Sequence, residues 1–79
     1  MKYEIFKSTR QYKKYMAVFS NKTVHFGDNR YQQYTDSTSL KLYSHLDHLD
    51  KIRRKNYYAR HGKKANLYSA KWFSHKYLW

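Results

Sequence analysis

A chain with no cysteine and no proline has to build its interior from what remains, and here that is rings: ten Tyr, four Phe and two Trp among 79 residues. Val and Ile are scarce and no disulfide or thiolate site is available, so packing or a partner must supply the stability. A domain this small buries only about 60% of the surface its unfolded chain exposes. Aromatic side chains can close such a core with few residues, because each removes about 150–250 Å² from water, and Tyr keeps a hydroxyl for water or phosphate. The sequence therefore predicts one small domain with an aromatic core. No apolar run approaches 18 residues and no basic start leads into an apolar stretch, so neither a membrane span nor a secretion signal is expected. The lack of Cys suits a reducing compartment.

Alternation organises the first third, and residues 2–27 read as a three-stranded meander. In Lys2–Lys7, Tyr3 and Ile5 share one face and Glu4 and Phe6 the other. In Tyr12–Phe19, Tyr15, Ala17 and Phe19 oppose Met16 and Val18, and Thr23–Phe26 is a short third strand ended by Gly27 and Asp28. Ser8–Gln11 and Ser20-Asn21-Lys22 supply the turns, Asn being tolerant of positive φ. Three strands make an independent sheet only if something covers one face.

Residues 28–39 are polar and read as a loop whose Asp36-Ser37-Thr38-Ser39 run offers a choice of helix N-caps. Leu42, Leu46, Leu49 and Ile52 or Arg53 then recur at helical spacing, and Tyr57 continues the stripe, which predicts a helix over residues 40–61 stopped by Gly62. Residues 62–79 form a basic link and a short terminal helix, from Ser69 or Ala70 to Leu78, rich in aromatics. The expected class is α+β: a three-stranded antiparallel meander, one long helix packed across it, and a short aromatic C-terminal helix closing the core.

Charge is the next constraint. All five acids lie within residues 1–50, where eight Lys or Arg leave +3; residues 51–79 hold nine bases and no acid, giving +9. Self-repulsion on that scale is relieved by a polyanion or an acidic surface. Lys51, Arg53, Arg54, Lys55, Arg60, Lys63 and Lys64 are the candidate nucleic-acid-binding residues, set on the helix face opposite the Leu stripe. Such contacts release counterions and give affinity that is independent of sequence and falls steeply with salt. No helix-turn-helix, zinc finger or paired-aromatic RNA-binding signature is present.

Other constellations carry less. His45-Leu46-Asp47-His48-Leu49-Asp50 could place two ligands on one helix face, too few for a closed metal site, and helix-dipole acids with local pairing account for it better. In Tyr57-Tyr58-Ala59-Arg60-His61, adjacent tyrosines point apart, so one packs inward and the other lies beside Arg60 or a phosphate. Trp72, Phe73, Tyr77, Leu78 and Trp79 fold back over the open sheet face, anchor a partner or, as a basic Trp-bearing amphipathic segment, lie on an anionic membrane, the last being the weakest of the three. Tyr58, Trp72, Phe73, Tyr77 and Trp79 are the candidate partner anchors. Cofactors and catalytic residues are not expected: Gly27 and Gly62 make no phosphate loop or nucleophile elbow, and the acids are too few for a carboxylate pair in a cleft.

Lys22-Thr23-Val24-His25-Phe26-Gly27, Tyr34-Thr35-Asp36, and the run His48 to His61 together form a pattern: K-x-V-x-F-G, then H-x-D, then Y-x-A-R-H, with aromatic residues at the C-terminus. This pattern, over most of residues 12–79, resembles a family of small basic proteins of unknown function from giant nucleocytoplasmic large DNA viruses. Against that family the chain has an added stretch around Ser37–Leu46, which would lengthen the helix at its N-terminal end, and lacks Pro-containing turns in the tail. The resemblance implies a viral protein located in the virion, and in the host cytoplasm or nucleus during assembly. Its partner would be nucleic acid, with DNA the expected one, bound non-specifically. The alternative is a minor capsid (cement) protein whose charge complements acidic capsid proteins.

Overall fold

The alternation of the first third is realised as a meander. Strands β1 (Glu4–Lys7), β2 (Lys13–Val18) and β3 (Thr23–Asp28) pair antiparallel in the order β1-β2-β3 in the computed structural model, which describes residues 2–79. Ile5 lies opposite Ala17, Ala17 opposite Val24, and Tyr15 opposite Phe26, so the expected apolar residues share one face. The β2–β3 hairpin closes where the Phe19 N–H donates to the Lys22 carbonyl at 2.8 Å. In the β1–β2 turn the Ser8 hydroxyl accepts from the Arg10 N–H at 3.0 Å, and Tyr12 completes the reversal at a φ of 65°.

Two helices follow, α1 (Lys51–His61) and α2 (Ala70–Tyr77), and the second covers the sheet. Phe73 is 0% exposed, stacked on Phe26 at 5.2 Å and edge-on to Tyr3 at 5.1 Å. Tyr15, Ala17, Phe19, Phe26 and Leu78 complete the buried cluster. The hydroxyls of Tyr3 and Tyr77 meet at 2.8 Å and tie the ends of the chain together. Ser69 caps α2 by accepting from the Trp72 N–H at 3.2 Å. Close approach of this helix end to β3 depends on Gly27: its φ is 76°, and a Cβ there would sit 2.8 Å from Leu78 Cδ1.

The helix predicted over residues 40–61 starts only at Lys51, and α2 rather than α1 lies across the sheet. Residues 40–50 are drawn instead into a polar nucleus. Asp36, 1% exposed, accepts from the Tyr15 hydroxyl, the Thr38 N–H (3.0 Å) and hydroxyl (2.6 Å), and the Tyr43 N–H (3.1 Å). Asp47 accepts from Gln33 Nε2 at 2.5 Å and from the Asp36 N–H at 2.7 Å. A buried carboxylate needs such a shell of donors, and filling it fixes Thr38 and Tyr43 outside a helix. Lys41 (φ 49°) and Leu49 (φ 55°) are left-handed, which no continuous helix tolerates.

The added stretch at Ser37–Leu46 is therefore loop with one 3-10 turn (Ser44–Leu46), not a helical extension. Helix α1 starts where Asp50 takes over as N-cap, accepting from the N–H groups of Ile52 (2.9 Å) and Arg53 (3.2 Å). Leu49 and Ile52, two members of the expected stripe, are 62% and 72% exposed.

The same loop closes the far end of α2. Tyr34 and Thr35 donate their N–H groups to the Leu78 carbonyl (3.0 and 3.2 Å), and Ser37 donates to the Tyr77 carbonyl from both its N–H (2.9 Å) and its hydroxyl (2.7 Å). Terminal helix carbonyls left without intrahelical partners are thereby satisfied, and polar nucleus and aromatic core are locked together.

Candidate nucleic-acid interface

Helix α1 is held at few points. Tyr57, its one buried residue, stacks flat on Trp79 with ring centres 4.2 Å apart and 5° between planes. Beside it Arg54 donates from Nε to the Trp79 carbonyl at 2.5 Å, its guanidinium 5.1 Å from the centre of the Tyr34 ring. At the C-terminal end Gly62 (φ 74°) donates its N–H to the Tyr58 carbonyl at 2.8 Å, the stop expected from the sequence. His75 bridges the helices: Nε2 lies 2.9 Å from the Gly62 carbonyl and Nδ1 2.9 Å from the Tyr57 hydroxyl. A neutral ring that donates from Nε2 and accepts at Nδ1 satisfies both. Burial lowers the His75 pKa, as do the Lys71 and His61 charges, against the opposing pull of the Gly62 carbonyl.

Four of the five acids accept hydrogen bonds from the chain itself. Asp36 and Asp47 hold the polar nucleus, Asp50 caps α1, and Asp28 pairs with Arg30 at 2.7 Å, the one ion pair among the described residues. Glu4 on β1 is exposed, as is Asp50 at its cap position. The hydrogen bond to Arg30 holds the Asp28 carboxyl at about 2. Burial pushes the Asp36 carboxyl upward, but hydrogen bonds from Thr38, Tyr15 and Tyr43 outweigh it and leave it below its ordinary value. The His45–Asp50 run forms no single helical face: Asp47 is in the nucleus, Asp50 is the cap, and His48 Nδ1 accepts from the Asp50 N–H at 2.9 Å.

With the acids withdrawn, the bases line three grooves. A cleft of about 750 Å³ between α1, α2 and the ends of β2 and β3 is bordered by Lys13, Arg53, Arg60 and Lys71. Lys14 lies 2% exposed in its wall, donating from Nζ to the Tyr31 carbonyl at 2.9 Å, and burial lowers its pKa to about 8. A second groove, about 430 Å³, carries Lys51, Arg54, Lys55 and Lys63 beside Tyr58. The third, about 970 Å³, carries Lys63, Lys64, Lys71 and Lys76 beside Trp72. Lys63 borders the second and third grooves and Lys71 the first and third, so the three make one continuous basic belt.

All seven basic residues singled out from the sequence are exposed and lie on this belt, though on different grooves rather than one helix face. Arg53 also donates to Gln32 Oε1 at 2.8 Å. Sequence reasoning missed Lys13, Lys71 and Lys76. The last two belong to the acid-free stretch and were legible there; Lys13 reaches the belt only because β2 begins at the cleft that α1 also lines.

The aromatic set divides. Phe73 is core and is withdrawn from any role as a partner anchor; Tyr77 packs against Phe26 and Trp79 is stacked on Tyr57. Tyr58 is half-buried, its hydroxyl donating to the His75 carbonyl at 3.3 Å, and the guanidinium beside its ring is that of Arg54 (5.6 Å), not Arg60. Trp72 remains half-exposed in the third groove. No helix is long and apolar enough to cross a membrane among the described residues.

A sequence profile described as a family of unknown function (DUF5754) matches residues 3–61, which covers the sheet, the polar nucleus and α1. No curated protein and no solved structure matches the chain.

Proposed function

The chain belongs to this family of unknown function, and for it we propose a non-enzymatic role: binding the nucleic-acid backbone, without sequence preference, through the basic belt. One observation carries the reading. Four of five carboxylates already accept hydrogen bonds from the chain itself, while Lys13 from β2, Arg53 and Arg60 from α1, Lys63 and Lys64 from the link, and Lys71 and Lys76 from α2 line connected grooves in which the one carboxylate, Asp28, is already paired with Arg30. A fold that occupies most of its few acids in its own hydrogen bonds and spreads its bases over connected grooves presents a field suited to a phosphate backbone. The resemblance of Lys22–Gly27 and Asp50–His61 to proteins of giant DNA viruses makes packaged DNA in a virion the proposed setting.

The test is binding to a labelled duplex of arbitrary sequence across a salt series, beside the double variant Arg53→Glu, Arg60→Glu. The expected result is affinity that falls linearly on a log–log salt plot, with a slope of roughly −0.9 for each phosphate engaged. The variant should bind at least about tenfold more weakly, with a flatter slope. Absence of binding at low salt, or an unchanged slope in the variant, would remove this role. A second reading, a capsid cement protein, draws on the uncovered face of the sheet, where Phe6 is 43% exposed and pairs across the strands with half-buried Met16.

A further inference from the structure

The third groove differs from the other two in the ring it holds. Trp72 lies in the first turn of α2, set edge to face with Tyr68 (5.2 Å, 73°) and Phe73 (5.0 Å, 90°), so the packed core orients an indole that is itself half-exposed. Lys76 Nζ is 5.6 Å from the centre of that ring. Lys63, Lys64 and Lys71 border the same groove with the Asn66 amide, and no carboxylate lines it. The second Trp is placed differently, since Trp79 is already stacked flat against Tyr57.

A fixed indole among ammonium groups suits a base with phosphates on either side. Stacking needs an open π face on the ligand, and phosphates need cations on both sides of the stack. Paired bases in a duplex have their faces covered by their neighbours, so a duplex can use the ammonium groups of this groove but not the ring. A single strand can use both. Lys76, now against the indole, has a flexible stem and can pass its charge from the ring to a phosphate.

We propose that the groove between the Lys63–Asn66 link and α2 is a single-strand site: an unpaired base stacks on Trp72 while Lys64, Lys71 and Lys76 take the flanking phosphates. The site deepens, and rests on, the nucleic-acid reading of the basic belt. It gives the belt two modes, charge alone for duplex and charge with stacking for exposed single strand.

The experiment uses the full chain carrying Trp79→Phe, so that Trp72 is the one indole, titrated with a 15-nucleotide oligo-dT and with a 15-base-pair duplex at one salt concentration. The expected result is saturable quenching of Trp72 fluorescence by oligo-dT and little by duplex. A companion Trp72→Leu variant, which keeps apolar bulk but removes the π face, checked for an unchanged circular dichroism spectrum, is expected to lose about tenfold in oligo-dT affinity and less than twofold for duplex. Lys64→Glu with Lys76→Glu should weaken oligo-dT binding by a similar factor. Binding of oligo-dT without quenching, or unaffected by Trp72→Leu, overturns the single-strand site and leaves the backbone-binding reading intact. Failure of both ligands to bind overturns that reading and the site with it.

Discussion

Helices α1 and α2 are both short, both basic and both capped at the N-terminus by a side-chain oxygen, from Asp50 and Ser69. Their surroundings differ. The rings of α2 meet the sheet, with Phe73 enclosed by Tyr3, Phe19 and Phe26, whereas α1 buries only Tyr57 and turns Ile52 to solvent. In a chain this poor in aliphatic residues, position in the core follows the rings rather than the Leu and Ile stripe. Helix α1, tethered by its cap and by the Tyr57–Trp79 stack, is left to display Arg53 and Arg60.

The sharpest way to break that contrast is to truncate the ring that each helix buries. Phe73→Ala should cost about 3–5 kcal/mol in urea denaturation. That is comparable to the whole stability expected of a domain this size, roughly 0.05–0.15 kcal/mol per residue. Tyr57→Ala should cost less and release α1 while the sheet stays folded, a distinction visible in hydrogen exchange of the two helices. Equal losses from both would mean that α1 belongs to the core after all.

Next in size is the polar nucleus that keeps residues 40–50 out of α1. Asp36→Asn should cost about 1–3 kcal/mol, because four neighbouring donors lose a charged acceptor in a buried place. The Asp36 carboxyl sits below its usual value when folded, so its contribution is present above the unfolded pKa of 3.8 and is lost as pH falls through that region. The variant should therefore lose part of the acid limb of the stability profile.

A smaller effect belongs to the seam between the helices. Burial lowers the His75 pKa from 6.5, so the neutral ring stabilises the fold above that value and the contribution disappears as pH drops below it. Stability should decline between pH 7.5 and 5, and His75→Gln should flatten the decline; His25 and His48, lowered mainly by burial as well, leave a residue of it. Smallest of all is Ile52→Ser, expected to fall within about 0.5 kcal/mol of the parent in the same urea assay, since 72% of that side chain is already in water.

The sheet was legible because alternation places Ile5, Tyr15, Ala17 and Phe26 on one face without reference to anything distant. The terminal helix was legible for the same kind of reason, since an open sheet face needs a cover and Trp72 to Trp79 is where the remaining rings lie. The start of α1 was not. Asp36-Ser37-Thr38-Ser39 has the composition of an N-cap, but the Asp36 carboxylate is claimed by Tyr15, a partner 21 residues away. Periodicity at Leu42, Leu46 and Leu49 then mimics a helix that the polar nucleus forbids. The basic belt was half legible: absence of acids marks Lys51 to Lys76, while the part of Lys13 depends on where β2 begins.

The most direct test of the central claim, that the belt and not the open sheet face meets the partner, is a backbone amide NMR titration of the whole chain with duplex DNA at moderate salt. Lys13, Arg53, Arg60, Lys63 and Lys71 should shift progressively, with Phe6, Met16 and Val18 unmoved. Shifts confined to the Phe6–Met16 face, or none at saturating DNA, would contradict it.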